Sequence, residues 1–380
     1  MKKDILEQVT YDYVKAALED VIAIPSESLQ EKKLAEYICG RLKNAGMDAS
    51  VDPHGNMVAK KKSGRPGKTI YFNSHMDTVE VGNLWTKNPY GEVDGDRFYG
   101  VGVCDCQASL TGMMLAVELL SKNGVELSGE YGLTAVAREQ WPCVATKGTV
   151  NLIDDGFHAD MVVIGEPTNL TICRGCEGML EVIIEVTGVP VHACNPELGV
   201  NAIEVMYEIM SEIKKIPVGT SEILNKGAIN FGVIEGGSRS CVLPEKCTLK
   251  VSRFIVEGEN GSQFMKQIEA ILKEVKKKDE RIQATAILGY DTLAGVVQDG
   301  AEVIEMLKEA SREVTGETAP LTAMRAHMDA DFLINKAGIP TVAFGPGDLD
   351  AYNAGAEWVN ISDVVTAVKV YITAVMNLLG

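Results

Sequence analysis

Apolar residues recur at helical spacing in "LAEYICGRLKNAGM", where Leu34, Ile38 and Leu42 share a face and Gly46 suits a helix end. "TIYFNS" (Thr69 to Ser74) is short and rich in β-formers, and "EYGLTAVA" and "MVVIG" are two further apolar runs. Between the first two lies "ASLTGMMLAVELLSKNG", predicted as a helix ending at Gly124. Strands alternating with helices predict a largely parallel sheet covered by helices.

The rhythm changes near Gly178. "MLEVIIEVTG" alternates apolar and polar, as a half-buried antiparallel strand does. A helix is predicted over 201–215, then strands at "AINFGVIEGG" and "KCTLKVSRFI", an amphipathic helix over 263–277, and "IQATAIL". This β-α-β-β-α-β order is that of a ferredoxin-like unit with its own core. The α/β rhythm resumes with a helix over 301–314, a strand at "PTVAFG" and a helix over 362–379. The expected fold class is α/β, a mostly parallel sheet covered by helices with an inserted ferredoxin-like α+β domain. Residues 1–177 and 291–380 would form the larger domain and 178–290 the inserted one.

Composition narrows the classes. A chain of 380 residues suits two domains. Its formal net charge of −17, from 53 acids and 36 bases, disfavours nucleic acid and anionic membranes. The N-terminus "MKKDILEQ" lacks the apolar region of a signal peptide, and no apolar run approaches the roughly 18 residues of a membrane span. Nine cysteines without an export signal suit a reducing compartment. The expectation is a cytoplasmic protein with neither nucleic-acid nor membrane partners.

Polar clusters follow the predicted strands: "SHMD" (Ser74 to Asp77), "REQ" (Arg138 to Gln140) and "GEPT" (Gly165 to Thr168). "CDC" (Cys104 to Cys106) lies between a Gly-rich turn and a helix start. Carboxyl ends of parallel strands share one edge, so His75, Asp105, Glu139 and Glu166 can converge. One imidazole and three carboxylates suit zinc, manganese or cobalt. Asp77, two residues after His75, is spaced to take the other ring N–H and fix its tautomer.

The ordered set "NSHMDTV", "GVGVCDCQA", "GEPT", "RGCEG", "VHACNPELGVNAI" and "FGPG…EWV" resembles the co-catalytic zinc amidohydrolases that include acetylornithine deacetylase, succinyl-diaminopimelate desuccinylase and aminoacylase-1. "IPSES" and "DPHGN" resemble most its selenium-metabolism-linked hydrolase branch. The resemblance runs nearly end to end. It implies that His75, Asp105 and Glu166 are metal ligands, with Asp105 bridging, and that Asp77 orients His75. It implies that His192 of the inserted lid reaches a partner subunit's site to stabilise an oxyanion, and that the lid's Arg253 holds a substrate carboxylate. It also implies a homodimer formed through that lid domain.

Two positions depart from the family pattern. The family carries two adjacent Glu residues, a general base and a ligand of the second metal, where this chain has "AREQ". One alignment puts Arg138 at the base and Glu139 at the ligand; the other puts Glu139 at the base and Gln140 at the ligand. Four residues before Glu357, where the family has a His ligand, stands Asn353. Both losses fall on the second metal, so the expectation is at most one ion per chain, zinc or else cobalt or manganese. Arg138 is expected to supply the charge of the missing ion beside Asp105 and Glu139. Of the spare histidines, His327 in "RAHMDAD" is best placed to approach a site. Cys104, Cys106, Cys143, Cys173 and Cys176 leave thiolate ligation open beside the reading of cysteine as a small buried residue.

The expected function is a metal-dependent hydrolase of an amide-type bond in a small N-acyl amino acid or dipeptide-like substrate. Glu139 would be the base, Asp77 the orienting carboxylate and His192 the oxyanion donor, with Arg253, Asn353 and Arg138 towards substrate. The alternatives are a non-hydrolytic relative that binds a small carboxylated ligand or joins a larger assembly, and altered chemistry using the thiols.

Overall fold

The computed structural model describes residues 1–140, 148–348 and 355–380. They form two compact units, one of Met1–Gly175, Val296–Met324 and Met328–Gly380, the other of Cys176–Gly295 with Arg325–His327.

In the first unit the sheet runs in the order Asp48–Val51, Met57–Lys62, Glu130–Val136, Thr69–His75, Met161–Ile164, Thr341–Ala343, Ile172–Cys176. The four strands from Glu130–Val136 to Thr341–Ala343 are parallel, and the flanking pairs are antiparallel. The central strands are buried on both faces, as a helix-covered parallel sheet requires. Their register sets which strand ends meet. His75 lies level with Val136, and Asn73 with both Thr134 and Ile164. The segments after Val136 and Ile164 therefore leave the sheet beside the segment after His75.

Helix Ala108–Lys122 is buried from Ala108 to Ser121, and it packs against the C-terminal helix Ile361–Leu379. Tyr371 on that last helix sets its ring 5.0 Å from that of Phe72 and donates its hydroxyl to the Phe344 carbonyl at 2.6 Å. The sequence reading that no run approaches a membrane span needs correction. Val103–Lys122 and Ile361–Leu379 are both long and apolar enough by composition, but they are 94% and 56% buried in the fold. Core helices covered by a sheet meet the same test because both must be apolar on most faces.

The inserted unit has a four-stranded antiparallel sheet ordered Ala228–Gly236, Lys246–Ile255, Gly178–Thr187, Gln283–Asp291. Numbered along the chain this is 2-3-1-4, the ferredoxin-like arrangement. Helices Ala202–Ile213 and Gly261–Lys276 cover one face. Each begins at an Asn whose side chain accepts from the first turn: Asn201 from the Ile203 and Glu204 N–H groups, Asn260 from that of Gln263. Leu180, Val182, Ile184 and Val186 alternate inward on the first strand and meet Met206, Ile209, Phe264 and Ile268.

Candidate active site

The strand Thr69–His75 delivers His75 to the sheet edge, where its ring is buried. Nδ1 lies 2.9 Å from the Asp77 carbonyl oxygen, and Nε2 lies 3.2 Å from Asp105 Oδ1. Nδ1–H therefore donates to a main-chain acceptor, which leaves Nε2 as the nitrogen facing the acids. The carbonyl is the orienting group; the Asp77 carboxylate, expected in that role, stands 3.7 Å from Nδ1. Its oxygens are engaged elsewhere. Oδ1 accepts from the Glu139 N–H at 2.9 Å, and Oδ2 accepts from the Gln140 N–H at 2.9 Å and the Ser28 hydroxyl at 2.7 Å. Asp77 thus ties the end of the neighbouring strand to His75.

Asp105 sits in a tight non-α-helical segment, Val103–Gln107, entered through Gly102 at φ +71°. A Cβ on Gly102 would stand 2.2 Å from Thr78 Cγ2, so both the backbone conformation and the space call for glycine. The buried carboxylate of Glu357 holds this segment by accepting from the N–H groups of Gly102 at 2.8 Å, Cys104 at 2.7 Å and Asp105 at 3.0 Å. Burial pushes the Glu357 carboxyl up to about 7, against the pull of those N–H donors. Gln107 is structural. Its amide donates to Ser26 Oγ at 2.7 Å and to the Met76 carbonyl at 3.2 Å.

Glu139 and Glu166 complete the cluster. Burial pushes the Glu139 carboxyl well above the usual range. The charges of Asp329, Glu166 and Asp105 add to that push, and His75 opposes it. Glu166 is pushed up to about 8, by burial first and then by Asp105. Burial alone would lower the His75 imidazole; Cys106 and Asp105 override it and hold the ring well above its ordinary value. Several buried carboxylates around one imidazole make a site whose like charges a cation would offset. The donor geometry agrees. One ligand atom each from His75, Asp105, Cys106 and Glu166 lie within 4.8 Å of one another. These residues fit a divalent ion through one nitrogen, carboxylate oxygens and a sulfur. Glu139, expected as a ligand, is not among the converging atoms.

Gln140 stands where the second alignment of "AREQ" puts a ligand. Its side-chain amide donates to Asp105 Oδ2 at 3.1 Å. The oxygen of Asp105 that faces away from His75 therefore meets Gln140, and Glu139 is half-buried beside the cluster. Arg138 does not stand in for an ion. It is exposed at φ +64°, its main-chain N–H donates to Glu31 Oε1 at 3.1 Å, and among the described residues its side chain forms no ion pair with Asp105 or Glu139. The left-handed turn at Arg138 is what lets the next residue's side chain enter the site. Two segments near the start of the chain brace this turn, one just after "IPSES" and one within "DPHGN". Glu31 binds Arg138, and Asn56 of "DPHGN" accepts from the Ala137 N–H at 3.1 Å.

Other expectations fall elsewhere. His327 belongs to the inserted unit, and its neighbour in sequence Asp329 is the residue whose charge reaches Glu139 and Glu166. Arg253 is buried in the inserted unit, ion-paired with Glu259, hydrogen-bonded to the Pro217 carbonyl at 3.1 Å and stacked 4.7 Å over the Phe264 ring. Only Nη2 makes these polar contacts; Nε and Nη1 are buried without a hydrogen-bond partner among the described residues, so part of the guanidinium is not engaged inside that unit. His192 is exposed there, with Nδ1 accepting from the Cys194 N–H at 3.2 Å. Asn353 and Cys143 lie outside the described residues. Cys104 Sγ donates to the Asp348 carbonyl at 3.2 Å and Cys173 Sγ to that of Gly175 at 3.3 Å.

The model of peptidase family M20/M25/M40 matches residues 71–377. The chain belongs to this family. That bears out the resemblance carried by the sequence motifs. Among M20 relatives, Escherichia coli K12 YgeY is 27% identical over 375 residues, covering 93% of this chain and 91% of its own. Acetylornithine deacetylase of Myxococcus xanthus is 26% identical over 391 residues, covering 98% and 99%. The crystal structure of the Bacillus subtilis YxeP protein, a dinuclear metal-binding peptidase of the M20 family, superposes with a TM-score of 0.74 at 15% identity, covering 97% of this chain and 98% of that one. The M20 fold is therefore common ground between the two.

Proposed function

We propose that the protein is a metal-dependent hydrolase of an amide-type bond in a small N-acyl amino acid or dipeptide-like substrate, working with a single ion per chain. The observation that carries this reading is the half-buried Glu139 carboxyl, whose electrostatic neighbours include His75, Asp105 and Glu166, the three residues that converge. The acetylornithine deacetylase of M. xanthus supports the substrate class. His75, Asp105 and Glu166 would hold the ion, zinc or else cobalt or manganese. Bound there, it would supply a Lewis acid for the scissile carbonyl and for water.

The chain's own residues supply the rest. Glu139 takes the proton from the attacking water and returns it to the leaving nitrogen, a role that suits a carboxyl whose pKa burial raises. The main-chain N–H bonds to Asp77 fix its backbone, so its carboxyl is held in place before substrate arrives. Gln140 presents an N–H donor to Asp105 Oδ2 where a second cation would need a lone pair, which is the ground for a single ion. His192 is the oxyanion donor to a partner subunit's site. Its Nδ1 accepts from Cys194 N–H, so Nε2 carries the proton that would be donated.

A homodimer through the inserted domain is part of this reading. Ala228–Gly236 is an edge strand, Val233 and Ile234 are exposed on it, and Tyr207 on the neighbouring helix is 72% exposed. An open edge with apolar side chains favours pairing with a second copy.

The test is a panel of N-acyl amino acids and dipeptides assayed on the purified chain before and after chelation. Hydrolysis of at least one member is expected, lost on chelation and restored by one equivalent of zinc. Activity that survives complete removal of metal would contradict the reading. Inertness towards the panel with retained binding of a carboxylated ligand would favour a non-hydrolytic relative.

A further inference from the structure

We propose that Cys106 is itself a ligand of the ion, making the centre a His–Asp–Glu–Cys set that prefers zinc-like ions to manganese or magnesium. The inference rests on the proposed metal site of His75, Asp105 and Glu166, and it adds a donor that changes the character of that site.

Cys106 Sγ lies with the imidazole nitrogen and the two carboxylates in one group of mutual distances within 4.8 Å. Ligand atoms arranged tetrahedrally around zinc stand about 3.3–3.8 Å apart, given bond lengths of about 2.0–2.3 Å. The group needs to close by about an ångström, which carboxylate and thiol rotamers supply without moving the backbone.

Cys104, Cys106, Cys173 and Cys176 are buried outside both apolar cores, unlike Cys39 and Cys247, and of these four only Cys106 belongs to the converging group. Cys39 and Cys247 sit in the apolar cores of their units, as a free cysteine used for packing does. Cys106 is equally buried but belongs to neither core cluster. Its sulfur faces the His75 ring and the Glu166 carboxylate and lies 2.9 Å from the Ser74 hydroxyl and 3.7 Å from the His75 carbonyl. Ser74 Oγ, which donates to the Gly165 carbonyl at 3.2 Å, is the sulfur's nearest polar side-chain neighbour. Cys104, on the other side of Asp105, is occupied with the Asp348 carbonyl and is outside the group. Only one of the two thiols flanking Asp105 is aimed at the ion.

The chemistry balances simply. As the metal–sulfur bond forms, the thiol proton leaves to solvent; nothing is oxidised or reduced. The added thiolate brings a third negative charge to a divalent ion and a soft donor to an otherwise hard set. Soft donors favour zinc over manganese and magnesium. Zinc also accepts a fifth ligand, so four protein donors leave room for a carbonyl or water.

Two measurements on the full-length chain test this. Zinc K-edge absorption of the unaltered protein is expected to show a sulfur scatterer at about 2.3 Å in addition to nitrogen and oxygen. Substitution with cobalt is expected to give a thiolate-to-metal charge-transfer band in the near ultraviolet. That band should be lost in Cys106→Ser and kept in Cys104→Ser. A purely nitrogen and oxygen shell around one bound zinc overturns this inference and leaves the hydrolase reading standing, as does a cobalt band that persists in Cys106→Ser. A chain that holds no ion in excess zinc overturns both. If Cys106→Ser does not fold, the absorption measurement on the unaltered chain decides alone.

Discussion

Glu139→Gln is expected to lower kcat about 10²–10⁴-fold, with bound metal and circular dichroism unchanged. The amide keeps the shape of the side chain and the main-chain bond to Asp77, since that bond comes from the backbone N–H. It removes the capacity to take and return a proton. Glu139 is also absent from the converging ligand atoms, so the metal content should survive the change. The measurement is steady-state kinetics on a hydrolysed member of the panel, with metal determined on the same sample. Retained turnover would show that another group is the base. Loss of metal along with activity would show that Glu139 is a ligand after all.

Glu357→Ala is expected to destabilise the protein by about 2–4 kcal/mol, from several buried N–H donors losing their acceptor at about 1–3 kcal/mol each, less the relief of a buried carboxyl. The three donors belong to Gly102, Cys104 and Asp105, so the loop carrying the central carboxylate is what would loosen. Glu357→Gln keeps one acceptor oxygen and should cost less. Denaturant unfolding of both variants checks this. An alanine variant as stable as the unaltered chain would mean the loop is held by other contacts.

Much of this architecture was legible because its period is regular. Leu34, Ile38 and Leu42 do face the core, and the alternation in Gly178–Thr187 does mark the half-buried strand of the inserted sheet. His75 and Glu166 were legible as neighbours because they follow adjacent strands of one parallel sheet, and Asp105 from its place between a Gly-rich turn and a helix start. What was not legible depended on direction. Nothing in "AREQ" tells which of three consecutive side chains turns inward; the positive φ at Arg138 settles it, and an Arg has no strong local preference for that conformation. Arg253 alternates inward on its strand as its neighbours Val251 and Ile255 do, so its partner is Glu259 a few residues on. Asp329 was overlooked beside the more conspicuous His327, although the same segment held both. Glu357 was read only as a marker of a motif. Its role in gathering three N–H groups from a loop some 250 residues away is a long-range contact that no local pattern encodes.

We propose a site built for one ion, with the Gln140 amide against Asp105 where a second ion would need a carboxylate. Its most direct test is elemental analysis of protein purified without chelator and equilibrated with excess zinc before removal of the free metal. One tightly bound ion per chain is the expected result. Two tightly bound ions per chain would contradict it.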